Sequence, residues 1–192
     1  DGRSPQQWPP AVEQQIDKWN KLNNKEKNVI RWDIQFYKAL DIQENSEVAF
    51  SMTEDVYGSN GKGDESDAFR HAFFQAINTQ DVGGRFTRKF SDAHEYSTPV
   101  DEKSDLYMDI HNNDVGIEVG KNNPDATHEE LKVIILDKIK NGELLIINGN
   151  NKLIKSDGTL IKAKDIRRSE KSKEIFNEIK ENPNQKTENY DG

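Results

Sequence analysis

Residues 66–75 read SDAFRHAFFQ, and the reading of this stretch decides the fold. Phe69, Phe73 and Phe74, with the small Ala72 and Ala76, recur at helical spacing and call for burial. Asp67, Arg70 and His71 interrupt them. Residues three and four apart share a helix face, so Asp67, His71, Gln75 and Asn78 form one polar stripe. The stripe holds neither Lys nor Glu, the usual residues of a solvent-facing helix surface. The helix is therefore expected to be core on its apolar sides and to carry a site along its polar one.

Outward from this helix, helical periodicity dominates. Upstream, Trp8, Val12, Ile16 and Trp19 predict one helix. Asn23 or Asn24 is placed to cap a second, with Val29, Trp32, Phe36 and Leu40 on one face. Asn45 or Ser46 is placed to start a third that ends at Gly58. The polar loop GSNGKGDES follows; it lacks a phosphate-loop pattern. Downstream, DVGGRFTRKFSDAHE predicts a helix with Phe86, Phe90 and Ala93 inward, and YSTPVDEKS breaks it. Another helix spans about Asp105 to Gly120. Thr127 and Glu130 have the spacing of a capping box, with Leu131, Ile134, Ile135 and Ile139 apolar behind it and Gly142 at its end. The period then changes: ELLIING, NKLIKSDG and TLIKA are short β-like runs separated by Asn-Gly and Asp-Gly.

The expected architecture is mainly α, a helical bundle with a small C-terminal β-hairpin or meander. It divides into N-terminal helices (1–44), a motif-bearing core (45–142), a β appendage (143–164), a C-terminal helix (165–181) and a disordered tail (182–192), one domain overall.

Composition narrows the function classes. The chain has 192 residues, 32% hydrophobic and 32% charged, and no cysteine, which excludes disulfides and thiolate metal sites. No apolar run approaches the roughly 18 residues of a membrane span. The chain opens on DGRSPQQWPP without Met, as expected of a processed secreted protein or an excised domain. The net charge is -8, and twelve acids against five bases fall between Asp64 and Glu118. An acidic centre disfavours phosphate-driven nucleic-acid binding and suits a bound cation.

Two further segments share the polar character of 66–75. FSDAHE (90–95) sets His94 and Glu95 in the last turn of a helix, where His94 alone reads as a dipole cap. MDIHNNDVG (108–116) strings together poor helix formers, and Gly costs about 1 kcal/mol against Ala in a helix. Gly116 and Gly120, four apart, allow either a ligand or another helix to approach the backbone. Three of the four histidines, His71, His94 and His111, fall in this region, while His128 beside a helix N-cap reads as incidental. No short chelate spacing such as His-x-x-x-His occurs, so a metal site needs ligands from several helices.

DAFRHAFFQAIN, FSDAHE and MDIHNNDVG, in that order, resemble the motifs of an uncharacterised bacterial helical domain family, D-A-F-R-H-A-x-W-N-A, A-D-A-H-E and M-D-x-H-N-N-x-V-G. The likeness runs over about residues 45–150 and includes IKNGELLII. It implies a mainly helical domain of exported or polymorphic-toxin-like proteins and brings no established reaction. It marks Asp67, Arg70, His71, Asp92, His94, Glu95, Asp109, His111, Asn112, Asn113 and Gly116 as motif positions. Phe74 and Gln75 stand where the family motif has Trp and Asn.

The leading expectation is an exported, effector-like hydrolase with a His/Asp/Glu site between three helices. His71 is its general base and Asp67 orients it. His94, Glu95, Asp109 and His111 bind one divalent cation, Zn²⁺, Ca²⁺ or Mg²⁺. His94, Asn112 and Asn113 join the catalytic set, the Asn amides as donors to an oxyanion. Arg70, Gln75 and Gly116 contact the substrate. Phospholipase-like and nuclease-like chemistry both stay open, as does the substrate. The expected setting is secreted, periplasmic or inside a target cell, with a cognate immunity protein as partner. The alternative is a non-enzymatic binding or structural module. In it the same residues form a buried polar network, Arg70 with Asp109 or Glu95, that fixes helix packing.

Overall fold

The computed structural model describes residues 20–24, 26–27, 36–95 and 103–161. They form five helices, α1 (Phe36–Tyr57), α2 (Glu65–Val82), α3 (Gly84–Glu95), α4 (Lys103–Asn122) and α5 (His128–Lys140), followed by β1 (Leu145–Ile147) and β2 (Leu153–Lys155). The protein is mainly α, and the two strands pair antiparallel with Ile146 opposite Ile154. Of the three β-like runs two become strands, so the appendage is a hairpin among the described residues. The expected helix at 8–19, residues 28–35 of the second helix, most of the 96–104 linker, the helix at 166–180 and the tail lie outside the described residues.

One boundary differs from expectation. A cap at Asn45 or Ser46 would have split residues 36–57 into two helices, yet α1 runs through both. Asn45 is buried, and its amide donates to Asn78 Oδ1 at 3.0 Å and Asp81 Oδ2 at 2.7 Å on α2. A tertiary partner satisfies the side chain that local reasoning assigned to a cap.

The stretch that predicts the core does form it. Phe69, Phe73 and Ile77 of α2 are fully buried with Ala68, Ala72 and Ala76. Phe69 and Phe73 stack with centroids 5.5 Å apart, and His128 of α5 meets Phe73 edge-on at 5.9 Å. Asp64 caps α2, its Oδ1 accepting from the Asp67 N–H at 3.0 Å. Leu131 and Ile135 of α5 close the same cluster. The capping box of α5 is present: Thr127 N–H donates to Glu130 Oε2 at 2.8 Å and Glu130 N–H to Thr127 Oγ1 at 3.3 Å. Gly142, just beyond, takes the positive φ (69°) that ends the helix.

The glycines of α4 make the tightest contact in the bundle. A Cβ on Gly116 would stand 2.2 Å from the Ala72 carbonyl oxygen, and one on Gly120 would stand 2.4 Å from that of Ala76. Small residues four apart on both helices let the two backbones touch. The β-hairpin hangs from the same helix. Asn112, fully buried, donates its amide to Leu145 O at 2.9 Å and accepts from Leu145 N–H at 2.9 Å. His111 Nε2 lies 2.9 Å from Glu143 O.

These contacts predict two stability losses. Gly116→Ala adds about 1 kcal/mol of helix propensity, but the backbone collision costs about 1–3 kcal/mol or more; the net effect is destabilising. Asn112→Ala leaves two buried backbone groups without that partner, at about 1–3 kcal/mol each. Urea unfolding followed by circular dichroism should show a lower midpoint for both variants. A Gly116→Ala midpoint equal to or above wild type would refute the backbone contact.

Candidate functional site

The α2–α4 crossing decides which polar residues meet. With Gly116 against Ala72, Asp109 and Asn113, two turns and one turn earlier on α4, come level with Asp67, His71 and Gln75 on α2. His71 Nε2 lies 3.6 Å from Asp67 Oδ1 and 3.4 Å from Asp109 Oδ1. One ligand atom from each of the three residues falls within 4.8 Å of the others. Ligands about 2.0–2.1 Å from a tetrahedral ion stand about 3.3 Å apart. The two His71–carboxylate separations are close to this value. Asp109 Oδ1 is buried and has no hydrogen-bond partner among the described residues.

A chain of hydrogen bonds orients the imidazole. Asn113 Nδ2 donates to Glu95 Oε1 at 3.0 Å. An ionised carboxylate only accepts, so this bond fixes which end of the amide faces Glu95. Asn113 Oδ1 then faces Gln75 Nε2 at 3.2 Å and His71 Nδ1 at 3.0 Å. The Nδ1 atom carries a hydrogen toward Asn113 Oδ1, and Nε2 is the nitrogen that faces the two carboxylates. Imidazoles that bind metals are held through their other nitrogen in this way.

Asp67 is fixed from the opposite side. Its Oδ2 accepts the Gly63 N–H at 2.6 Å, and its Oδ1 pairs with Arg70. Arg70 also donates to Gly61 O at 3.3 Å and lies over the Phe50 ring at 5.0 Å. The Gly-rich loop, 58–66, thus holds the Asp67–Arg70 pair with its backbone. The alternative network expected Arg70 to pair with Asp109 or Glu95; its partner is Asp67.

Burial pushes the Asp109 carboxyl up to about 7, and the negative charges of Glu95 and Asp67 add to the effect, while His71 opposes it. Two carboxylates at one imidazole are unfavourable together unless a proton or a cation is shared between them.

Of the residues singled out in the sequence, the fold brings Asp67, Arg70, His71, Gln75, Glu95, Asp109 and Asn113 into one connected cluster. Others lie elsewhere. Gly116 meets the Ala72 backbone, so the space beside it is filled. Asn112 and His111 hold the hairpin connection. His94, at the end of α3, sets its Nδ1 2.8 Å from Glu26 Oε1 and lines the cavity beside the cluster without joining it. That bond pushes the His94 imidazole up from its ordinary value. Among the described residues, the atoms gathered tightly enough for an ion are those of Asp67, His71 and Asp109; of the metal ligands expected from sequence, only Asp109 is among them. Glu26 escaped notice in the sequence. Its signal was the Asn23–Glu26 spacing: Asn23 N–H donates to Glu26 Oε2 at 2.6 Å and Glu26 N–H to Asn23 Oδ1 at 2.9 Å.

Residues 27–143, more than half of the chain, match a family described as a domain of unknown function, DUF6973. The chain belongs to this family. The DUF6973 segment spans α1 to α5 and contains every residue of the cluster. No curated protein and no solved structure matches the chain.

The buried Asp109 makes the stability of this DUF6973 domain depend on pH. Unfolded, its carboxyl ionises near the ordinary 3.8; folded, it keeps its proton up to about 7. Between those values the folded state binds more protons, so the Asp109 contribution to stability falls as pH rises and reaches its full cost above 7. In EDTA at pH 8, Asp109→Asn should melt above wild type, by about 2–4 °C for each kcal/mol relieved, and the gap should shrink towards pH 4. Differential scanning calorimetry across pH 4–8 measures it; a gap that widens towards acid would contradict this account.

Proposed function

We propose that the domain is a divalent-cation-assisted hydrolase whose ion is held by Asp67, His71 and Asp109. The observation that carries the reading is the convergence of one imidazole nitrogen and two carboxylate oxygens, one of them buried without a hydrogen-bond donor among the described residues. The donor set, N and O without sulfur, suits Zn²⁺ or Mg²⁺. When bound, the cation supplies Lewis acidity and an activated water. The chain's own residues do the rest. Asn113, held by Glu95, keeps the His71 lone pair on the site. Gly63 and Arg70 keep Asp67 in place. Arg70 lines the adjoining cavity and brings a fixed positive charge to the side where substrate enters. The likeness of the motifs to exported and toxin-like proteins adds an effector setting and an inhibitory partner protein to the proposal.

A second reading has one observation in its favour. Arg70 already neutralises Asp67, so the cluster also suits a metal-free network that fixes the packing of α2 on α4.

Elemental analysis of the purified protein, with melting curves in EDTA and in added Zn²⁺, Mg²⁺ or Ca²⁺, separates the two. The hydrolase reading expects about one bound ion and a melting rise that grows from pH 5.5 to pH 8, because the cation displaces the proton. His71→Ala should abolish the ion and the cation-dependent turnover of chromogenic esters or phosphoesters, with a melting change of only a few degrees. No ion, no cation response and a collapsed His71→Ala variant together would establish the network reading.

A further inference from the structure

We propose that the cavity beside the cluster takes a single-chain amphiphile, with an acyl chain in its apolar part and an ester or amide head against Arg70 and His71. This deepens the hydrolase reading and rests on it for the chemical step, though not for binding.

The cavity measures about 460 Å³, within the roughly 300–1,000 Å³ of small-molecule sites. Its lining divides into two kinds. Leu22, Leu40, Ile42, Phe74 and Phe90 supply apolar walls, while Arg70, His71, Gln75 and Glu95 lead a larger set of polar lining residues that includes Lys21, Glu26 and His94. Phe74 carries the inference. It shares α2 with Phe69 and Phe73, which are fully buried, yet it is only partly buried: it packs against both core clusters and also lines this space. Aromatic and aliphatic walls along an open cleft suit an apolar occupant. Phe50, half exposed beneath Arg70, continues the apolar wall to the guanidinium. A diffuse polar substrate would leave the five apolar walls unused, and nucleic acid would meet Glu26 and Glu95 on the lining.

The reaction that fits is hydrolysis of the head. A water oxygen bonds to the acyl carbon, and the bond from that carbon to the alcohol oxygen or amine nitrogen breaks. The leaving atom takes a proton and the fatty carboxylate remains. Water is the only co-reactant.

The test begins with binding in EDTA, where turnover plays no part. The full chain is titrated with a fluorescent polyene fatty acid, then with laurate and butyrate as competitors. One equivalent should bind, laurate should displace it and butyrate should not. Ser46→Phe and Gln43→Trp, both on the α1 wall of the cavity, should each weaken uptake at least tenfold with unchanged melting. Nitrophenyl esters from butyrate to laurate are then assayed with added Mg²⁺ or Zn²⁺, and kcat/KM should rise with chain length. Saturable uptake with no turnover would uphold the cavity and overturn the hydrolase. Turnover indifferent to chain length, with no uptake, would overturn the amphiphile and leave the hydrolase standing. Neither uptake nor turnover overturns both.

Discussion

The contact of α4 with α2 at Gly116–Ala72 and Gly120–Ala76 sets the rest of the structure. Two helices ordinarily pack with side chains between them, 8–10 Å apart. Here the glycines remove those side chains, and a single methyl group would meet a carbonyl oxygen. The close approach has a consequence one and two turns away. It brings Asp109 and Asn113 of α4 within hydrogen-bonding or ion-coordinating reach of His71, Asp67 and Gln75. A residue with a side chain at 116 would hold α4 off and open the cluster. The glycines thus act on the site by geometry, without touching a ligand.

Such a site is electrostatically expensive, and its surroundings show how the cost is met. Asp67 has two compensations, a backbone N–H and a guanidinium. Glu95 has the Asn113 amide. Asp109 Oδ1 has no donor among the described residues, and its carboxyl is accordingly pushed up to about 7, by burial first. A fold built only for stability gains by replacing such a group with an apolar one. Its position where an imidazole nitrogen and a second carboxylate converge is the physical basis for reading the cluster as a cation site beside a cavity.

Much of this was legible in one dimension, for identifiable reasons. The phenylalanines of α2 announce the core because apolar spacing of three and four is a local property. The polar stripe of Asp67, His71, Gln75 and Asn78 could be recognised as more than a wet face because it lacks Lys and Glu; three of its members prove buried and His71 half-buried. The Thr127–Glu130 capping box is likewise local. Asn45 misled because the same amide that caps a helix also bonds across one, and the choice rests with Asn78 and Asp81, more than thirty residues away. The division of labour among the motif residues was equally hidden. Asn112 and Asn113 are adjacent and chemically identical, yet a step of one residue turns about 100° around a helix. One faces the hairpin and the other faces His71.

By itself, then, the sequence determined that the protein is helical, which helix is central, and which polar residues do not belong on its surface. Those are matters of period and composition along one element. Tertiary structure alone decided that Asp67, His71 and Asp109 share a point, that His94 turns to Glu26, and that His111 and Gly116 serve packing. Each depends on the distance and rotation between two helices. That distance follows from the absence of a Cβ at two positions, which sequence shows as glycine but cannot assign to a partner.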